Sequence, residues 1–508
     1  MNLDRRRFLG AIGLGATGAA LAPWATGMGL AGKDLAHDSD RPEYHFLAPH
    51  NWMNDPNGPI WWKGNYHLFY QLNPEAAVWG DMHWGHAVSG DMVHWRHEAF
   101  ALAPTHGGPD SEGCFSGSAV VRDGVPTVIY TGVQNAPPEL VTIHDGTDRL
   151  RETVLLATAE DDALLQWNKK AEPVIAKPPE GMEVTGFRDP CPWREADGWY
   201  MVVGSGERGR GGCALLYRSQ DLRAWEYLHP LATGKPNGLK AANPCDSGEM
   251  WECPDFFEVN GHHCLLYSTE GKVIWTTGEY DRNLHRYTAK RTGVLDHGAF
   301  YAPKSFLAPD GRRILWGWIQ EKRPEAEFAA AGWSGMMSLP RVLTVDADGQ
   351  LDMQVAIECE RLRGQVYRVA MKAETEYPEF TRTMKQTLPS LRQAFEVKMA
   401  RKETAVKVRL NSGGKQVWEI SIDGAEKKVT CGEKSFGLPD AGVSEVVLRI
   451  WLDGSSIESL VCGKEAITSR VYGMKPEATE IEVLMRGKGG ARLEQWPLGA
   501  ISEDRLTT

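Results

Sequence analysis

The sequence predicts an all-β protein, a five-bladed β-propeller followed by a C-terminal antiparallel β-sandwich. Three observations carry this. Short apolar runs alternate with Gly, Asp and Asn turns from Tyr44 to about Asp346, with almost no helical periodicity. These runs gather into five clusters that begin near Asn51, Phe115, Phe187, Trp251 and Phe300. Beyond about Leu362 the texture becomes period-two strands with charged outward faces, as in a sandwich. A chain of 508 residues exceeds one ordinary core, so two domains are expected, near residues 40–350 and 365–508.

The N-terminus is expected to lie outside both. Asp4-Arg5-Arg6-Arg7-Phe8-Leu9 precedes a weakly apolar, Gly/Ala-rich run from Gly10 to Ala22. A twin arginine before such a run reads as a Tat-type export signal over residues 1–31, with cleavage near Ala22, Ala25 or Ala31. The run is too short and too rich in Gly for a membrane span. The mature protein is therefore expected in the periplasm or outside the cell, with no membrane partner. A net charge of −11 argues against nucleic-acid binding. The nine Cys are scattered, odd in number and without paired spacing, so free buried thiols are expected. Cys253 reads as a packing residue with a weak polar role, since nothing nearby in sequence would activate it.

Within the first domain the strands include Tyr66–Tyr70, Thr127–Tyr130, Trp199–Val203, Cys264–Tyr267 and Arg313–Trp316. A weak repeat closes successive segments: Ser89-Gly-Asp91 before Trp95, Asp161-Asp162 before Trp167, Ser219-Gln-Asp221 before Trp225. Its spacing of roughly 60–75 residues suits four-stranded blades with long insertions. In the second domain the runs Ala394–Met399, Ala405–Leu410, Val417–Ile422, Val446–Trp451 and Ile481–Met485 read as sandwich strands.

Three acidic motifs stand out. The first is His50-Asn51-Trp52-Met53-Asn54-Asp55-Pro56-Asn57-Gly58; the others are Phe187-Arg188-Asp189-Pro190 and Trp251-Glu252-Cys253-Pro254-Asp255. Asn-Asp-Pro-Asn-Gly alone is a good turn. Three carboxylates beside Pro, each near the start of a different strand cluster, suggest more. On the inner strands of different blades they would converge at one end of a central funnel.

These motifs, in this order, resemble those of glycoside hydrolase family 32, which holds invertases, inulinases, levanases and related fructosyltransferases. The resemblance runs from about Tyr44 to the C-terminus, where Asp453–Glu458 and Thr468–Tyr472 resemble the family's sandwich module. It implies the propeller-plus-sandwich architecture and a retaining hydrolase of β-fructofuranosides. By the resemblance, Asp55 is the nucleophile, Glu252 the general acid and later base, and Asp189 a holder of fructose hydroxyls with Arg188 beside it. Retention implies the Asp55 and Glu252 carboxyls about 5–5.5 Å apart. Asn54, Gln71, Trp79, Phe115, Ser116 and Trp318 match the family's substrate-binding pattern. For Trp79 and Trp318 core packing is the plainer alternative, and for Gln71 and Ser116 strand-end capping. Ala299 stands where the family often has Asp before Phe-Tyr, a departure at the rim of the pocket.

The flanking residues suggest how the two reacting carboxyls differ. Asn54 and turn amides beside Asp55 would favour its anion, whereas Trp251 and Cys253-Pro254 beside Glu252 would favour the protonated acid. No cofactor is implied. His83 and His86 lack a third ligand of fitting spacing, so no metal is expected. Gly204-Ser-Gly206 and Gly209–Gly212 read as a blade hairpin rather than a phosphate loop. The expected partner is a small or polymeric fructoside. Rival readings are a fructosyltransferase on the same residues, an inverting arabinan- or xylan-active propeller hydrolase, and a catalytically silent fructan-binding protein. The choice among sucrose, inulin and levan, exo or endo action, and the oligomeric state stay open at this level.

Overall fold

The computed structural model describes residues 35–371, 377–402, 404–440, 444–503 and 506; the expected export signal lies outside them. Five antiparallel sheets follow one another along the chain. The first holds β1 (Asn51–Trp62), β2 (Asn65–Asn73), β3 (His83–Ser89) and β4 (Trp95–Leu102). The second holds β5 (Gly113–Arg122), β6 (Val125–Asn135), β7 (Leu150–Ala159) and β8 (Trp167–Lys169). The third holds β9 (Val184–Glu195), β10 (Gly198–Glu207), β11 (Gly211–Ser219) and β12 (Glu226–Thr233). The fourth holds β13 (Glu252–Val259), β14 (His262–Thr269), β15 (Lys272–Asp281) and β16 (Arg286–Asp296).

The fifth sheet is interrupted. After β17 (Phe300–Leu307) and β18 (Arg313–Ile319) come the helix α1 (Glu325–Ala331), β19 (Trp333–Ser334) and β20 (Met336–Met337), then β21 (Arg341–Val345) and β22 (Leu351–Val355). Strand β19 runs parallel to β1, pairing Trp333 with Asn51, so the last blade is stitched to the first. The α1 helix was not foreseen; its Gly332 cap, at φ 80°, turns the chain back toward β1.

In each sheet the first strand is innermost. β1 packs on β5, β5 on β9, β9 on β13, β13 on β17 and β17 on β1, a closed ring of five. Every one of these strands breaks register at the same level. The slips fall between Met53 and Pro56, Phe115 and Gly117, Arg188 and Cys191, Glu252 and Asp255, and Tyr301 and Lys304. Proline explains four of them, because Pro56, Pro190, Pro254 and Pro303 cannot donate to a ladder. In the second blade Gly117 takes the place of proline; a Cβ there would meet the Ile129 carbonyl at 2.1 Å. The residues at the bulges, Asp189, Cys253 and Ala302, adopt positive φ of 64°, 48° and 50°, a conformation costly for non-glycine residues and held here by the ring.

The acid–Trp repeat closes the turn between third and fourth strands. Asp91 accepts the Val93 and His94 amides, Asp161 the Ala163 and Gln166 amides, and Asp221 the Arg223 and Ala224 amides. In each case the following Trp indole donates to a carbonyl three residues back: Met92, Leu164 and Leu222. The repeat is thus a turn device with no part in chemistry. Gly204–Gly212 forms the β10–β11 hairpin.

The second domain contains β23 (Tyr367–Met371), β24 (Tyr377–Thr387), β25 (Arg392–Ala400), β26 (Thr404–Ser412), β27 (Lys415–Asp423), β28 (Lys428–Cys431), β29 (Lys434–Gly437), β30 (Glu445–Asp453), β31 (Ser456–Val461), β32 (Glu465–Arg470), β33 (Thr479–Gly487) and β34 (Ala491–Pro497). They make two six-stranded sheets, ordered β23-β34-β25-β30-β31-β32 and β24-β33-β26-β27-β28-β29. Phe395, Val397, Val408, Ile420, Leu448, Ile450 and Val483 fill the space between. Their period-two spacing is what buries them together.

The two domains meet through buried charge. The Asp453 carboxylate accepts the Glu43, Tyr44 and His45 amides, and Arg341 bridges Asp296 and Glu458. Ala299 belongs to this seam: its amide donates to the Thr468 carbonyl. The nine cysteines are all free, eight of them buried.

Candidate active site

The five bulges aim a ring of side chains at the end of the channel where the inner strands begin. Around the ring the bulge position is Asp55, Ser116, Asp189, Cys253 and Ala302, and the position before it is Asn54, Phe115, Arg188, Glu252 and Tyr301. Asp55 and Asp189 are therefore equivalent by pseudosymmetry, while Glu252 is equivalent to Asn54 and Arg188. The two kinds of carboxylate leave their strands at different points.

Asp55 is held from three blades. Ser116 Oγ donates to Oδ2 at 2.6 Å, Asn54 Nδ2 to Oδ1 at 3.0 Å, and Cys253 Sγ lies 3.4 Å from Oδ2. Asn54 is itself fixed by the Trp52 indole at 2.7 Å. Asp189 Oδ2 accepts the Cys253 amide at 2.8 Å, and Cys253 Sγ stands 3.5 Å from the same oxygen. Thr131 Oγ1 accepts the Asp189 amide at 2.8 Å. Cys253 thus bridges the two aspartates, a larger polar role than the sequence suggested. Burial holds its thiol well above the usual range, so it acts as a hydrogen-bond donor and not a nucleophile.

Glu252 is tied differently. Its Oε1 lies 2.9 Å from Arg188 Nη2, and its Oε2 accepts the Tyr301 hydroxyl at 2.8 Å. Arg188 Nη1 reaches Glu152 at 3.0 Å. Asp55, Asp189 and Glu252 are thereby brought to one place.

The electrostatics correct the expectation drawn from flanking residues. Enclosure in the pocket, with Asp189 next to it, pushes Asp55 up to about 6 despite the Ser116 and Asn54 bonds. Burial works on Glu252 in the same direction, but the Arg188 guanidinium and the Tyr301 hydroxyl outweigh it and hold Glu252 below the ordinary range. The neighbours that decide are distant in sequence, and they reverse the order that Asn54, Trp251 and Cys253 implied.

The remaining candidates divide. Phe115 and Trp79 meet edge to face at 5.8 Å, with Trp79 60% exposed, which excludes core packing for it. Trp318 packs against Cys253, Tyr301 and Ala302 and meets Trp52 edge-on at 5.8 Å, so it lines the wall of the site. Phe328 of α1 also approaches the Trp52 ring, centroid to centroid at 5.9 Å. Gln71 sits one strand further out on β2, 2% exposed, and donates to the Cys114 carbonyl; it steadies the strand that carries Ser116. Tyr301 and Glu152 were not anticipated. Tyr301-Ala302-Pro303 repeats the spacing of Glu252-Cys253-Pro254, a signal present in the sequence; Glu152 carries none.

His86 is buried against His67, Nε2 to Nδ1 at 3.0 Å, and among the described residues no group of three His, Cys, Asp or Glu is placed to hold a metal ion. A cavity of about 930 Å³ opens at the other end of the inner strands, lined by Ile60, Val121, Glu195, Asn260 and Arg313. None of the three site carboxylates lines it.

Residues 45–354 match the model of the glycosyl hydrolases family 32 N-terminal domain, and residues 349–497 match the family 32 C-terminal model. The chain is 35% identical over 501 residues to a sucrose-6-phosphate hydrolase of Escherichia coli, covering 90% of this chain and 95% of that protein. It is similar to a GH32 beta-fructofuranosidase of Bombyx mori solved as a mutant in complex with sucrose (TM-score 0.74, 27% identity, 91% of this chain and 95% of that one). It is also similar to fructan 1-exohydrolase IIa of Cichorium intybus solved as a variant with 1-kestose (TM-score 0.72, 26% identity, 91% and 98%).

Proposed function

The chain belongs to glycosyl hydrolase family 32, and on that premise we propose that it is an exported, retaining β-fructofuranosidase. Its substrates on this reading are sucrose, fructo-oligosaccharides or fructans, cleaved at the terminal fructosyl unit. The observation that carries the proposal is the meeting of Asp55, Asp189 and Glu252 in one ring of bulges, with each carboxyl held by its own donors. Relatives bound to sucrose and to 1-kestose support the substrate class. The arginine-rich N-terminal run supports export.

On this reading Asp55 attacks the anomeric C2 of the fructosyl unit while Glu252 gives its proton to the leaving oxygen, and the C2–O bond breaks. Charge spreads over C2 and the ring oxygen in the transition state. Asp189, locked by the Cys253 amide, accepts hydrogen bonds from fructose hydroxyls, which strengthen as that charge develops. Glu252, now an anion, takes a proton from water, and the hydroxide displaces Asp55 from C2. Tyr301 and Arg188 hold Glu252 at the same place for both steps. Trp52, Trp318 and Phe115 offer apolar faces to the sugar.

The test is a product time course with sucrose, kestose, inulin and levan, run also in aqueous methanol. Free fructose from the outset and methyl β-fructofuranoside as the methanol product fit the proposal. The α-anomer would refute retention, oligosaccharides released first from polymer would refute terminal action, and lengthening products from sucrose would identify a transferase.

A further inference from the structure

Arg188 is divided between two carboxylates, and only one of them belongs to the reacting set. Its Nη1 lies 3.0 Å from Glu152 Oε1 and its Nη2 2.9 Å from Glu252 Oε1. Glu152 comes from β7, the third strand of the second blade, and is 1% exposed. Its second oxygen accepts the amide of Phe187, the residue before Arg188. Glu152 is therefore fixed at both oxygens against the strand that carries Arg188. Glu252 has Arg188 on one oxygen and the Tyr301 hydroxyl on the other, and it is also faced by the Cys245 thiol and the Asp55 and Asp189 carboxyls. One guanidinium serves two carboxylates, and a buried Glu152 has no other cation within ion-pair distance among the described residues. Charge spent on Glu152 is withheld from Glu252.

We propose that Glu152 is a positioning residue for proton transfer: by sharing Arg188 it sets how readily Glu252 takes up the proton it must donate. The proposal rests on the reading of Glu252 as the general acid. The productive form has Asp55 ionised and Glu252 protonated. With Asp55 raised to about 6 and Glu252 lowered, a single proton resides mainly on Asp55, and the productive form is the minor one. Burial raises Glu152 above the ordinary carboxylate range against the pull of the Arg188 guanidinium and the Phe187 amide; where Glu152 is ionised, replacing it by Gln concentrates Arg188 on Glu252 and makes that form rarer. The lower limb of the kcat/KM profile moves to lower pH, the bell broadens, and its height falls about tenfold for each unit of widening. Loosening of structure alone lowers the height and leaves the limbs where they were.

The experiment compares full pH profiles of kcat/KM on sucrose for the wild type, Glu152→Gln and Glu152→Asp, with a thermal melt of each. The expected result for Glu152→Gln is a lower limb displaced downward by about half a unit to one unit, with a proportionate loss of about three- to tenfold in height. Glu152→Asp moves the same way by less, since its carboxylate draws back from Arg188. Unmoved limbs in a folded Glu152→Gln variant overturn the proposal; should that variant not fold, unmoved limbs in Glu152→Asp overturn it. A wild type that cleaves no fructoside overturns the general-acid reading first, and the proposal with it.

Discussion

The Ser116 hydroxyl donates to Asp55 Oδ2 at 2.6 Å across the seam between the first and second blades. Its own strand is held by Gln71 on the Cys114 carbonyl and by Thr131 on the Ser116 carbonyl. A hydrogen bond to a charged group is worth about 1.5–3 kcal/mol, so Ser116→Ala should lower kcat/KM about 10- to 100-fold. Loss of this donor also leaves the Asp55 anion less favoured, and the alkaline limb of the profile should move upward. Steady-state kinetics with a thermal melt separates the cases: full activity, or activity lost only together with the fold, would deny Ser116 this role.

Glu252→Gln tests the division of labour between the two reacting carboxyls. Loss of a positioned proton donor costs about 10²–10⁴-fold. The loss should be seen on sucrose, whose leaving oxygen needs the proton, and should largely vanish in the first step with fructosyl fluoride, whose leaving group does not. Asp55→Asn removes the group that bonds to C2, so the fluoride should not rescue it. Equal behaviour of the two variants toward the fluoride would contradict the assignment.

Much of this was legible in the sequence, and the failures have physical causes. The five inner strands were legible as the first runs of five clusters separated by turns, and the carboxylates beside Pro56, Pro190 and Pro254 stood out as motifs, whereas the bulges they occupy emerge only when the ladders are paired. Tyr301 was equally legible, but Ala302 at its bulge hid the repeat. Glu152 was not, since a lone Glu in an apolar strand reveals its partner only when β7 is laid beside β9. The protonation order of Asp55 and Glu252 was misread for the same reason: local flanks gave one order, and burial of Asp55 with Asp189 beside it, together with Arg188 overcoming the burial of Glu252, gives the other. Helix α1 escaped because seven residues are too few to show a period.

Trp79 lies on the rim, 60% exposed and edge-on to Phe115. An exposed indole contributes little to stability, so Trp79→Ala should leave the melting temperature nearly unchanged, within about 0.5 kcal/mol. If the ring is a platform for the sugar beyond the scissile bond, KM for kestose should rise several-fold with kcat less affected. Unchanged KM for sucrose, kestose and inulin would remove Trp79 from the substrate path.

His45 provides a pH-dependent clamp between the two domains. Its Nδ1 lies 2.9 Å from Asp453 and its Nε2 3.0 Å from Glu458, all three fully buried, and Arg341 completes the network at Glu458 and Asp296. Burial works against the imidazolium, but the two carboxylates prevail and push His45 from 6.5 up to about 9. A folded value above the unfolded one stabilises the protein fully below about pH 6.5, progressively less as pH rises to 9, and not beyond; the span corresponds to about 3 kcal/mol. Glu458 is displaced the other way, from 4.5 to about 2, because the Arg341 and His45 charges overcome its burial. Its contribution is complete above pH 4.5 and lost as pH falls toward 2. Together they place the strongest domain contact between about pH 4.5 and 6.5. Denaturant unfolding across pH should show wild-type stability falling from pH 6.5 to 9. His45→Gln should be less stable at pH 6 and nearly flat over that upper range, because the proton that leaves His45 is the one the slope reports. A variant that keeps the wild-type slope would show that His45 is neutral in the folded protein, and that Asp453 and Glu458 hold the domains together without it.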